Sequence, residues 1–134
     1  MSKKDLVARR KKKVAKRASD FFVPEWGDVL VAEFPFSDHG NVKRRPAVFL
    51  GYGHKHEAVH NWDHIIIAIT SRLDATLPGA YIDDWERAGL LKPCAFKPNI
   101  MTVEPSFIVK KAGSLSERDQ SKLKKLINYW ILEE

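Results

Sequence analysis

The chain has 134 residues, 44% of them hydrophobic, enough for one domain with a core of its own. Its formal charge is +6, but residues 1–20 hold nine Lys/Arg and two acids, leaving 14 bases and 15 acids for the rest, so the basicity belongs to one end. No apolar run reaches the roughly 18 residues a membrane span needs, and a single cysteine, Cys94, excludes an internal disulfide and suits a reducing cytosol.

Residues 1–22 read as a basic extension, flexible or loosely helical, because Leu6, Val7 and Val14 are its only sizeable apolar residues before Phe21. No apolar stretch follows the charges, so the segment is not read as a secretory signal. It is a solubilising spacer, an arm with salt-sensitive affinity for phosphates, or a membrane-surface segment.

Residues 23–134 read as a single domain. GDVLVAEFPF alternates Val29, Val31 and Phe34 with other residues and predicts a strand that Pro35 ends. FSDHGNVKRR is a polar loop, and PAVFLGYG is a second strand, continuous enough to be buried on both faces. GHKHEAVHNWDH reads as a long polar loop, followed by the β-branched strand DHIIIAITS. TLPGAYIDDW opens on a Pro-Gly turn and continues into a short strand and one helical turn. CAFKP, IMTVE and FIVKKAG supply further short strands. Strands this short and this closely spaced predict a small antiparallel barrel or curled sheet.

The last segment changes period. Ser116 and Asp119 form a capping box. Leu123, Leu126, Ile127, Trp130 and Ile131 then make one apolar stripe of a helix that packs on the sheet, with Lys122, Lys124 and Lys125 beside it.

Phosphate-loop, dinucleotide, serine-hydrolase and zincin motifs are all missing. His56, His60 and His64 are spaced i, i+4, i+8, which on a helix could hold zinc. But His64 opens a strand and no cysteine accompanies them, so solvated loop histidines are the simpler reading. Asp83 and Asp84 are adjacent, which puts their side chains on opposite faces of a strand and suits a carboxylate pair poorly; capping a helix start is the simpler role. Cys94, between apolar neighbours, reads as a small packed hydrophobe.

VKRRPAVFL is the most informative stretch. Pro46 restricts Arg45 to extended backbone and holds its guanidinium on a rigid rim. Thr70 and Ser71 end the third strand, and if that strand lies beside PAVFL their hydroxyls reach the same cleft. A guanidinium fork with a hydroxyl suits a phosphate, and suits a phosphorane-like transition state better. Two solvated arginines at a strand entrance are the alternative.

GDVLVAEFPFSD, KRRPAVFL, IAITS followed by LP, WERAGLLKPC and MTVEPSFIVKKAGSLSERD occur in one order over about residues 26–132. In this the chain resembles the MazF/PemK toxins, mRNA interferases of toxin–antitoxin systems. The resemblance implies an SH3-like or gyrase-inhibitor-like (CcdB-like) barrel with a C-terminal helix. It also implies ribosome-independent, sequence-specific and metal-independent cleavage of single-stranded RNA, with no cofactor. The 2′-hydroxyl would attack, leaving a 2′,3′-cyclic phosphate and a 5′-hydroxyl.

By the same resemblance Arg45 is the catalytic arginine and Thr70 the catalytic threonine. Arginine is a poor general base because its pKa exceeds about 12, so phosphate neutralisation is its better role. His39, in the preceding loop where some members carry a catalytic histidine, suits proton transfer; a solvated turn histidine is the alternative. Lys43, Arg44, Ser71, Lys97 and Trp62 are candidate RNA contacts.

The chain departs from the family in its longer basic extension, in Cys94 for a common serine, and in Lys97 near a position where many members carry arginine. Lysine lacks the bidentate fork, which weakens the expectation for substrate strength and sequence preference. The implied partners are single-stranded RNA, an antitoxin with an acidic segment and a second copy in a homodimer, in the cytoplasm and without membrane contact. Two other functions compete: a non-catalytic nucleic-acid- or protein-binding member of the fold, and a gyrase-directed toxin acting through Trp130, Ile131 and Leu132.

Overall fold

The computed structural model describes residues 23–34, 43–56 and 61–132. The basic extension, His39 and His60 lie outside the described residues. Five strands form one antiparallel sheet: β1 (Asp28–Phe34), β2 (Lys43–His56), β3 (Asn61–Thr70), β4 (Ala95–Val103) and β5 (Ile108–Ser114), in the order β4-β3-β2-β1-β5. A helix, α1 (Glu117–Ile127), follows and ends in a π-turn over Asn128–Leu132.

Both faces of the sheet are apolar, as the unbroken run in β2 predicts. Val29, Val48, Ile67, Ile69 and Phe96 build one cluster, which Leu115, Leu123 and the partly buried Leu126, Ile127 and Trp130 cover. Leu30, Ala32, Ala47, Phe49, Ile66 and Ile108 build the other. Neighbours along each strand alternate between the two, as the pleat requires.

Only residues 104–107 join β4 to β5, the two edges of the sheet. Four spacings of about 4.8 Å separate the edges of a flat five-stranded sheet, roughly 19 Å. Five extended peptide steps reach about 17 Å. The sheet therefore curls around the second cluster. It is the curled-sheet alternative of the strand spacing and not the closed barrel that the family resemblance implies: no pairing joins β4 to β5 among the described residues.

Three segments differ from expectation. The polar stretch between β2 and β3 is mostly strand, paired out to Lys55 opposite Trp62 and His56 opposite Asn61. Ladder hydrogen bonds do not depend on side-chain polarity, whereas a pattern search does. CAFKP and IMTVE form one strand and not two. Pro98 is tolerated because β4 is an edge strand with a register shift in its pairing between Ile67 and Ile69. Ile131, placed on the apolar stripe, is 58% exposed, because the wider π-turn rotates it off the helical period.

The expected capping role of Asp83 or Asp84 is reversed. The buried carboxylate of Asp119 accepts the backbone N–H groups of Asp83 and Asp84, at 2.9 and 2.8 Å. Ser116 accepts the Asp119 N–H at 3.2 Å as the helix cap, and donates its own proton to Asp84. Arg118 and Lys122 neutralise Asp84 and Asp83. One residue of the predicted capping box thus ties the 83–89 turn to α1. Gly89, at φ +81°, and Gly113 let that turn lie directly on β5; a Cβ on Gly113 would stand 2.6 Å from the Ala88 carbonyl oxygen.

Candidate functional site

Lys43, Arg44 and Arg45 are all exposed at the start of β2, and cross-strand pairing separates their roles. Arg44 lies opposite Glu33 of β1 and bonds its carboxylate at 3.0 Å. Arg45 lies opposite Ala32 and has no ion pair among the described residues. Pro46, opposite Val31, adjoins the buried Ala47 and Val48, so the backbone beneath Arg45 is fixed by packing.

The register between β2 and β3 runs Phe49↔Ile66, Val48↔Ile67, Ala47↔Ala68. Continued by two residues, it sets Arg45 opposite Thr70. Alternation places both side chains on the face of Ala47 and Ala68. The sequence expectation that β3 lies beside PAVFL is met.

Beyond Thr70 the chain makes a braced turn. The Arg72 N–H donates to Thr70 Oγ1 at 3.1 Å, the Thr76 hydroxyl donates to the Arg72 carbonyl at 3.0 Å, and Leu73 N–H donates to the Ser71 carbonyl at 3.1 Å. Ser71 itself is exposed. This turn forms one wall of a cavity of about 510 Å³, lined by Thr70, Arg72, Thr76, Lys97, Tyr129 and Trp130 among others. Among the described residues no carboxylate lines it. Arg45 does not line it either; it stands one strand over, on β2. Thr70 is common to both arrangements.

The other candidates sit apart. Trp62 is half-buried within β3 and not on a loop. His64, expected as a solvated loop histidine, is fully buried, edge-on to Phe49 and Tyr52 at 5.2 and 5.5 Å. Cys94 is buried and its thiol donates to the Lys92 carbonyl; burial pushes the thiol pKa up, which keeps it an inert packed group.

Arg72, Thr76 and Tyr129 were not singled out in the sequence, and Trp130 was assigned to the core and to a protein contact. A signal for Arg72 was present, two residues after Thr70. Tyr129 reaches the cavity through the π-turn, which no apolar period announces, whereas Trp130 packs against the first cluster as the apolar stripe predicts.

Thr70 lines a hollow with aromatic walls and two cations, Arg72 and Lys97, on the side of the first cluster, while Arg45 lies on the Ala47 side and stands apart from it. Such a surface can hold a phosphodiester and stack a base. No family model matches the chain, and no curated protein matches it.

Proposed function

We propose that the chain is a ribosome-independent endoribonuclease toxin that cleaves single-stranded RNA at specific sequences and is neutralised by an antitoxin. What supports this reading is the register of β2 and β3, paired as far as Ala47 opposite Ala68, which continued by two residues would bring Arg45 opposite Thr70. The family resemblance supplies the reaction, and in finer terms the curled sheet is an open variant of the MazF/PemK barrel.

The 2′-hydroxyl of one nucleotide attacks the adjacent phosphorus, the P–O5′ bond breaks, and the products are a 2′,3′-cyclic phosphate and a 5′-hydroxyl. Arg45 neutralises the phosphate and the charge that grows on its non-bridging oxygens. Thr70 donates its hydroxyl proton to one of those oxygens as a hydrogen bond. His39 is the proposed proton carrier, since its ordinary pKa near 6.5 fits that task. Lys43, Arg44, Ser71 and Lys97 attract the strand, and a second copy of the chain completes the assembly.

The test is incubation of the purified chain with a long single-stranded RNA in EDTA. Discrete cuts with 5′-hydroxyl ends are expected, and cutting that survives Arg45→Ala refutes the assignment. A protein-directed reading is favoured by one observation, the exposure of Tyr129, Ile131 and Leu132 at the end of α1. Gyrase inhibition without RNA cleavage would select it.

A further inference from the structure

The cavity at Thr70 does not end at Tyr129. A second hollow of about 560 Å³ lies between α1 and Gly79 and is lined by Arg118, Lys122 and Lys125 among others. The two share Gly79, Leu126 and Tyr129, which form a saddle between them. Among the described residues the walls of both carry cations and no carboxylate.

These cations differ in availability. Arg118 and Lys122 are neutralised by Asp84 and Asp83 at 2.8 Å. Arg72 makes only a 3.8 Å contact with the exposed Asp74. Lys97 and Lys125 have no ion pair among the described residues, and one lies in each hollow. On the saddle Tyr129 is 64% exposed. An aromatic face between two hollows, with an unpaired cation in each, suits alternating bases and phosphates.

We infer that a single strand of nucleic acid runs from the Thr70 cavity over Tyr129 into the hollow beside α1, stacking a base on Tyr129 and setting its phosphates on Lys97, Arg72 and Lys125. The inference rests on the ribonuclease reading for the choice of RNA as the strand. It extends that reading, because these groups lie beyond the Arg45–Thr70 pair and act on affinity and sequence preference. Two hollows of this size are each within the about 300–1,000 Å³ span of small-ligand sites.

The probe is a fluorescent 2′-O-methyl RNA oligonucleotide, which has no free attacking hydroxyl and so binds the full chain without being cut. Tyr129→Ala is expected to weaken binding about 5- to 150-fold, the value of one stacked base, and to leave the salt dependence alone. Lys97→Ala and Lys125→Ala are each expected to lower the slope of log affinity against log salt by about 0.7. All three residues sit at the surface, so the variants keep the core.

Unchanged affinity and slope in the three variants overturn the inference. So does displacement of the probe by polyglutamate at equal charge, which would make the track a site for acidic peptide. A third refutation is loss of self-association in Tyr129→Ala while both lysine variants bind normally, because the saddle is then an interface between copies. Cleavage of unmodified RNA is scored separately. Binding without cleavage sinks the ribonuclease reading and leaves the track standing; cleavage with no effect of the three variants does the reverse.

Discussion

The backbone N–H of Arg72 donates to the hydroxyl oxygen of Thr70 at 3.1 Å. The bond occupies a lone pair and leaves the Thr70 proton to be given to another acceptor. Thr70→Ser keeps both halves of this arrangement and is expected to retain cleavage within a few-fold. Thr70→Val removes both, and single-turnover cleavage of a defined RNA should fall about 100- to 1,000-fold. Equal rates for the two variants would remove Thr70 from the chemistry.

Arg45→Ala is expected to lower the same rate constant by a similar factor, about 100- to 1,000-fold. Arg45→Lys should restore only part of it, since an ammonium cannot present the planar fork. Arg44→Ala breaks an exposed pair with Glu33 and is expected to cost under about 1 kcal/mol of stability and to act on affinity more than on rate. Comparing kcat with KM across the three variants separates the roles.

The fold was partly legible in the sequence, and so was the placement of some residues of the candidate site. The apolar run in PAVFL predicted two-faced burial, and β2 has it; HIIIAI predicted a β-branched strand, and β3 is one. Ser116 and Asp119 predicted the helix start, and Pro46 predicted a rigid base for Arg45. The cavity was not legible, because Arg72, Lys97 and Tyr129 come from three distant segments that only the curl of the sheet and the π-turn bring together. The second job of Asp119 was hidden for a related reason: a capping box describes bonds within four residues, and this carboxylate also serves Asp83 and Asp84.

That second job has a measurable cost. Asp119→Ala leaves two backbone N–H groups without their charged acceptor and should destabilise the chain by about 3 kcal/mol in urea denaturation. Ser116→Ala removes the cap and should cost about 1 kcal/mol. An Asp119 effect no larger than the Ser116 effect would mean that the 83–89 turn does not depend on α1.

The Ser116 hydroxyl, and after it Arg118, hold the Asp84 carboxyl below its ordinary value of 3.8. A carboxylate favoured in the folded chain adds stability that is complete above the unfolded pKa and is lost as pH falls through the lower folded one. The urea midpoint should therefore drop as the pH is taken below about 4. Asp84→Asn, which cannot titrate, should show a shallower drop, and parallel curves for the two proteins would contradict the assignment.

The Ser114 hydroxyl donates to the Asp28 carboxylate across a separation of 86 residues, at the seam where β5 pairs with β1. The first strand of the sheet thus takes its second neighbour from the last. During synthesis β1, β2 and β3 can pair soon after they emerge, so the strand ends that carry Arg45 and Thr70 can be assembled early. The wall of the cavity at Tyr129 and Trp130 arrives much later, after β5 has docked. A nascent chain can therefore bring the Arg45 and Thr70 ends of β2 and β3 together before the hollow beside Thr70 is built, because the non-local docking of β5 is the slower kind of step.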